Sequence, residues 1–325
     1  MPSLTTIRST CHALLALAVL AASTPSPAAP PQEPNVSEAL RTLVASGTDP
    51  ELRWPDFSDY RDQVAAFYDP TGYALAWSQN GKPTAQALAV IAELQQAETK
   101  GLNPEDYDAS RWAARLGQLT QPATAAHFDA ALSVCAMRYS SDLDVGRVNP
   151  KHFKFAIAQK SARYDLAQFV RQRLANGNDL PAAFAEVEPQ FPGYKRTEEI
   201  LKHYLELAHA DTAQGLPVPA KAVETGASYP AVADLAQRLR QLGDLPAAGT
   251  VSADGTYQGD VVEAVKRFQA RHGLSPDGRL GAQTLRQLNT PLSTRVEQLD
   301  LALERWRWIS PDFKEPPVVV NLPEF

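Results

Sequence analysis

Between Val232 and Leu288, apolar residues recur at steps of three and four in three separate runs. The first row is Val232, Leu235, Leu239 and Leu242. Asp254-Gly255-Thr256-Tyr257 opens the second run, Val261-Val262-Glu263-Ala264-Val265-Lys266-Arg267-Phe268-Gln269. Gly273-Leu274-Ser275-Pro276-Asp277-Gly278-Arg279-Leu280-Gly281 opens the third, which carries Thr284, Leu285 and Leu288. Each Asp-Gly makes a turn, because Asp bonds its own backbone and Gly accepts a positive φ. Tyr257 and Leu280 each follow such a turn and can tuck under the next helix. The pattern predicts a three-helix module over residues 229–289. Its core is Leu235, Leu239, Val265, Phe268, Leu274, Leu280, Leu285 and Leu288, with Phe268 at the centre.

Upstream the helical period continues. A short helix is predicted from Ser37 to Val44. The aromatic, turn-punctuated stretch from Phe67 to Ser78 fits a short hairpin or a loop. Pro83-Thr84 starts a helix with Ala87, Val90, Ile91 and Leu94 on one face, and Gly101 ends it. Gly101-Leu102-Asn103-Pro104-Glu105-Asp106-Tyr107 is a loop into the next. Further helices are predicted from Ser110 to Leu119, Thr124 to Asp144, Leu166 to Asn176 and Arg196 to Ala213. The last presents Ile200, Leu201, Tyr204, Leu205 and Ala208. Ser293 to Ile309 is another, carrying Val296, Leu299, Leu303, Trp306 and Ile309. Nothing in the helical part alternates at period two. Pro316 and Pro317 break the final helix, and Val318-Val319-Val320-Asn321-Leu322-Pro323 follows as a strand, poorly anchored when alone.

Two resemblances rest on these residues. The order helix, Asp-Gly, helix ending Phe-Gln, Gly-Leu, Asp-Gly, Gly, helix resembles the peptidoglycan-binding domain of bacterial wall enzymes. Upstream stand Tyr73-x-x-x-Trp77, the Gly101 to Tyr107 loop, Asp142-Leu143, Gly146-Arg147-Val148-Asn149-Pro150, and Glu188-Pro189 before Tyr194. With the peptidoglycan-binding pattern after them, they resemble the murein L,D-transpeptidases of the YcbB type, from about Phe67 onward. The resemblance implies a helical scaffold domain, a wall-binding domain and a β-rich catalytic domain opened by a helix ending Arg-Trp and a Val-Val-Asn-Leu-Pro strand. The expected fold is therefore mainly α, with a short C-terminal strand from an incomplete catalytic domain. The expected division is a signal peptide at 1–29, a Pro-rich linker and short helix at 30–56, the scaffold domain at 57–228, the peptidoglycan-binding domain at 229–289, and the connecting helix with the first catalytic strand at 290–325.

Composition narrows the partners. The 325 residues leave room for two or three domains. A net charge of −6 argues against nucleic acid or an anionic membrane as main partner. Lys266, Arg267, Arg271, His272, Arg279 and Arg286 nevertheless gather in the small domain. The face around Arg271, Arg279 and Arg286 is the expected contact for wall-peptide carboxylates, and it fits a solvated face as well. The N-terminus has the form of a signal peptide: Arg8, then the apolar run Ala13 to Ala22, too short to span a bilayer, then Ala28-Ala29. Cleavage implies the periplasm. An uncleaved segment would associate the chain with the inner membrane. Cys11 precedes the apolar run, so it does not fit lipid attachment.

The resembled reaction needs a cysteine thiolate, a histidine and an oxyanion hole. Its Ser-His-Gly-Cys-type run is not in this sequence, so no catalytic residue is expected here. Cys135, flanked by small apolar residues in mid-helix, reads as a buried structural thiol, since reactive thiols want electropositive, partly exposed places. His127 and His152 stand in no recognisable relation to it. His203 and His209 are six apart, the wrong spacing for a shared metal face, and the Asp-Gly loops lack the calcium-loop ligands. No metal or cofactor is expected. Trp306 and Trp308 read as core packing rather than sugar stacking. The alternatives are a non-enzymatic peptidoglycan-binding adaptor and another wall hydrolase that borrows the binding domain.

Overall fold

The computed structural model describes residues 35–149, 164–212 and 214–309. The signal segment, the Pro-rich stretch to Pro34, Pro150, His152 and the Val318–Pro323 strand lie outside them. The described residues form a mainly helical protein.

The centre of the scaffold is α5 (Pro122–Val145), and its sequence explains its place. It is apolar nearly all round, which only burial on every side satisfies. Around it stand α1 (Val36–Ser46), α2 (Arg61–Tyr68), α3 (Ala85–Gln95), α4 (Trp112–Leu116), α6 (Leu166–Phe169) and α7 (Leu180–Val187). Asp129 on α5 is fully buried and makes up for it by accepting from the Tyr68 hydroxyl (2.7 Å) and from the N–H groups of Ala76 and Trp77 (both 2.9 Å). Ser133, one turn on, bonds Tyr68 (2.7 Å) and accepts from the Trp77 indole (2.9 Å). The aromatic stretch 67–78 is thus fastened to α5 by polar contacts inside an apolar core. Burial pushes the Asp129 carboxyl up to about 6.

Several expectations need correction. The aromatic stretch is a loop after the 3-10 turn Asp69–Thr71, one of its two expected forms, and only its last residue enters a hairpin, β1 (Ser78–Gln79) against β2 (Lys82–Pro83), where Asn80 and Gly81 take the two positive φ values of a tight turn. α3 shows the expected face, with Ala87, Val90, Ile91 and Leu94 buried, but it stops at Gln95. Gly101 instead caps a separate 3-10 turn, Ala97–Lys100. The helix expected over Ser110–Leu119 shrinks to α4 behind a 3-10 turn at Ala109–Arg111. α6 continues as a π-helical turn, Val170–Ala175. α7 was not anticipated, although Asp179 caps it and Pro181 sits in its first turn. Ile200 is exposed; the buried side of α8 (Pro192–His209) is Tyr194, Glu198, Leu201 and Leu205.

α12 (Leu292–Arg307) runs against α8, and the two bury Phe191, Tyr194, Leu201, Leu205 and Leu303, with Val296, Leu299, Trp306 and Ile309 packed on them. The tryptophans therefore pack, as read. Two glycines permit the approach. A Cβ at Gly193 would lie 2.3 Å from Trp306, and one at Gly146 would lie 2.5 Å from Glu304 Oε1. Glu304 Oε1 accepts from the Val148 N–H (2.9 Å) and the Trp308 indole (3.0 Å). Gly146-Arg147-Val148 is therefore a docking point for α12.

Gly193→Ala should force α12 away from α8 and destabilise the chain by about 1–3 kcal/mol. Gly281→Ala, with nothing within 4 Å of the added carbon and an ordinary φ, should be nearly neutral. Thermal melts of the two variants check this; equal melting temperatures would show that the Gly193 contact relaxes freely.

Candidate functional site

The small module is built from α9 (Val232–Gln241), α10 (Asp260–Arg271) and α11 (Ala282–Leu288). Leu235, Leu239, Val265, Phe268, Leu280, Leu285 and Leu288 are buried together, with Tyr257, Val261 and Ala264 among them. Leu274 differs from expectation: it is half-buried and outside this core, because it lines a surface groove instead.

The two Asp-Gly turns work as read, and each reaches further than its own loop. Asp254 accepts from the Thr256 N–H (2.9 Å) and the Ser252 hydroxyl (2.8 Å), and Gly255 has φ +78. Asp277 accepts from the Arg279 N–H (2.9 Å), and Gly278 has φ +74. Hydrogen bonds from the Thr256 side chain hold the exposed Asp254 carboxyl down at about 2. The turns are tied to one another by Tyr257, whose hydroxyl donates to the Gly278 carbonyl (2.7 Å). Gln269, nearly fully buried, closes the second turn. Its amide donates to Asp277 (3.0 Å), the Arg279 carbonyl (3.1 Å) and Thr284 (3.1 Å), and its oxygen accepts from the Gly278 N–H (2.8 Å). The Phe268-Gln269 pair thus has two jobs: the ring fills the core, and the amide shapes the loop. Sequence reasoning gave Gln269 no role, since nothing in a helical Gln shows that its neighbours in space are the backbone groups of a later turn.

The three arginines singled out for ligand contact are in different situations. Arg271 is paired with Asp244 through two bonds (2.8 and 2.6 Å), lies 5.1 Å over the Phe268 ring and meets Tyr204 of α8. It sits where the module meets the scaffold. Arg279 pairs with Glu224 (2.5 Å). Arg286 has no ion-pair partner among the described residues and lines an open groove with Leu274, Gln283, Gln287 and Thr290. Gln287 is held there by Arg295 (2.6 Å). Among the described residues the groove therefore offers one guanidinium without an ion pair, two amides, a hydroxyl and the half-buried Leu274. That set can bind a carboxylate on a short peptide.

His272 lies against Phe268 with ring centres 4.1 Å apart and the ring planes tilted by 39°, beside the seam lined by Tyr204, Leu292 and Arg295. Burial, then Arg271 and Arg295, push it down to about 4. Below the module, Asn289 clasps Leu216 through both backbone groups (2.7 and 2.8 Å).

Elsewhere, Cys135 is fully buried and burial pushes its thiol far up, so a thiolate does not form there. His127 bonds Asp49 (3.0 Å), not the cysteine. Among the described residues no cluster of His, Cys, Asp and Glu could hold a metal ion.

Two outcomes test the module. Phe268→Ala should cost roughly 3–5 kcal/mol, comparable to the whole stability of so small a domain. It should unfold 229–289 while the scaffold survives, seen as loss of amide protection confined to the module. The second concerns pH. Between the ordinary 6.5 and about 4, unfolded chains take a proton at His272 that the folded module refuses. The native state is therefore favoured above this window and loses ground as pH falls through it. His272→Gln should flatten that part of the stability–pH curve; an unchanged slope would show that other groups set it.

Residues 62–201 match the family described as "Scaffold domain", and residues 228–288 match the one described as "Putative peptidoglycan binding domain". Comparison with curated proteins gave no match. A scaffold domain followed by a peptidoglycan-binding domain is consistent with the N-terminal region of the YcbB-type murein L,D-transpeptidases.

Proposed function

We propose that this chain is the wall-holding part of a periplasmic murein L,D-transpeptidase. It binds peptidoglycan and supports formation of 3–3 cross-links by a catalytic domain of the β-rich kind. The observation that carries the reading is the groove at Arg286, a cation with no ion-pair partner among the described residues, set between amide side chains on a peptidoglycan-binding domain. Stem peptides of peptidoglycan bear carboxylates, and a guanidinium pairs with these in a directed, bidentate way. Arg271 and Arg279 have a different part in this reading. Their pairs with Asp244 and Glu224 commit them to the module's own loops, and they add positive potential rather than direct contact. The leader-like segment with Arg8 and Ala13 to Ala22 supports export. Among the described residues no helix is long and apolar enough to cross a membrane.

The chemistry of cross-linking is assigned elsewhere than to this chain's own thiols. The sequence holds two cysteines, Cys11 in the leader-like segment and Cys135. Cys135 lies sealed within α5, out of reach of any substrate carbonyl. A nucleophile must be reachable and near a base. Cys135 is neither.

The wild-type chain should co-sediment with purified sacculi at low salt. Arg286→Ala should weaken this by roughly 1.5–3 kcal/mol, about tenfold or more. Arg271→Ala should lower the melting temperature more than it lowers binding. Wild-type protein left in the supernatant would make the module a spacer. With tetrapeptide muropeptides, the chain alone should release no D-Ala and form no 3–3 dimers; turnover abolished by Cys135→Ser would overturn the assignment.

A further inference from the structure

Trp54 is 53% exposed, while Trp77 and Trp112 are fully buried. Its loop is nevertheless one of the most firmly tied in the scaffold. Arg111 and Arg115 both donate to the Glu51 carbonyl (2.6 Å each), the Arg53 N–H donates to Asp108 (2.9 Å), and Arg138 donates to the carbonyls of Trp54 (3.2 Å) and Asp56 (2.7 Å). Pro55 further restricts the Trp54 backbone to extended conformations. The indole itself is aimed by its N–H, which donates to Asp106 Oδ1 (3.2 Å), and Arg53 lies 5.8 Å from the ring centre. The other Asp106 oxygen pairs with Arg147 (2.8 Å), and Glu105 lies 3.9 Å from Arg53. Thus the two scaffold motifs that sequence analysis left without a function, the Gly101 to Tyr107 loop and Gly146-Arg147-Val148, converge on one exposed aromatic ring.

We propose that Trp54, with Arg53, Glu105, Asp106 and Arg147 around it, is a sugar-stacking platform on the scaffold that takes the glycan strand of peptidoglycan. The proposal rests on the reading that this chain works on peptidoglycan. A pyranose has a flat face of C–H groups that covers an indole, and a rim of hydroxyls that needs donors and acceptors in pairs. The indole supplies the first requirement. The half-exposed Arg53, Glu105 and Arg147, the last held in place by the more buried Asp106, supply the second. The named neighbours of the ring are charged, so the surroundings suit a hydroxyl-rich ligand better than the apolar centre of a protein interface. A ring held on a tied loop also loses little freedom on binding. Together with the Arg286 groove, the platform lets one chain hold both components of the polymer, glycan here and stem peptide on the small module.

The test uses the full chain and two probes, intact sacculi and sacculi stripped of stem peptides by an amidase. Trp54→Ala should bind peptide-free glycan about five- to thirtyfold more weakly, the loss of one aromatic anchor. In the wild type, peptide-free glycan should protect Trp54 from N-bromosuccinimide oxidation, located by mass spectrometry, which needs no substitution. Equal affinity of Trp54→Ala and wild type, or no protection of Trp54, would overturn the platform, and is the outcome expected if the ring serves a protein partner. Binding of intact sacculi without binding of peptide-free glycan would overturn it and leave the Arg286 reading standing. Failure of the wild type on both probes would overturn both readings together.

Discussion

Arg307 is a fully buried guanidinium, and the scaffold is arranged around the need to accommodate it. It donates to the Lys100 carbonyl (2.5 Å) and to the Tyr194 hydroxyl (3.2 Å), with Glu304 Oε2 3.7 Å from its Nη1. Those contacts reach three elements: α12 itself, the turn that ends at Gly101, and α8. A buried charge is tolerated only when its partners are held in place, so each of these elements constrains the others. Nε and Nη1 have no hydrogen-bond partner among the described residues. The site is thus specific rather than generously stabilising.

The same logic extends to the start of α8 and the residue that follows α7. Glu188 is completely buried and meets Lys100 (2.5 Å) and Lys195, while Glu198 meets Lys100 (2.6 Å) and Lys202 (3.1 Å). Lys100 therefore links, through its carbonyl and its ammonium group, the guanidinium of α12 to the carboxylates of Glu188, just past α7, and of Glu198 on α8. Apolar packing of Leu201, Leu205 and Leu303 supplies the bulk of the favourable burial, and the charges fix which way the helices face.

The binding module solves a smaller problem by other means. Its helices are short and its core is limited, so loop geometry carries more of the specification. Tyr257 and Gln269 both reach into the second Asp-Gly turn, one from the first turn and one from α10. This leaves the adjoining face with Arg286, Gln283 and Gln287 on a well-defined frame. Positive charge near that face divides accordingly: Arg271 and Arg279 are held in pairs with Asp244 and Glu224, whereas Arg286 has no ion-pair partner among the described residues.

Much of the helical plan was legible from the chain, because a helix shows its buried face as local periodicity. α1, α3, α5, α10 and the packing side of α12 follow from steps of three and four, and the Asp-Gly turns follow from two residues each. The small polar-flanked α7 and the exposure of Ile200 were not legible, since a short helix gives little period and a neighbouring helix decides which apolar residue is covered. The site divides in the same way. The sequence by itself determined that a basic cluster sits on a peptidoglycan-binding pattern and that Cys135 stands among apolar neighbours. Only the tertiary structure decided which cations are committed to ion pairs, because Asp244 lies 27 residues from Arg271 and Glu224 lies 55 from Arg279. It alone also brought Trp54, Asp106 and Arg147 onto one surface. Pairing over such distances depends on how helices pack, and no local pattern encodes it.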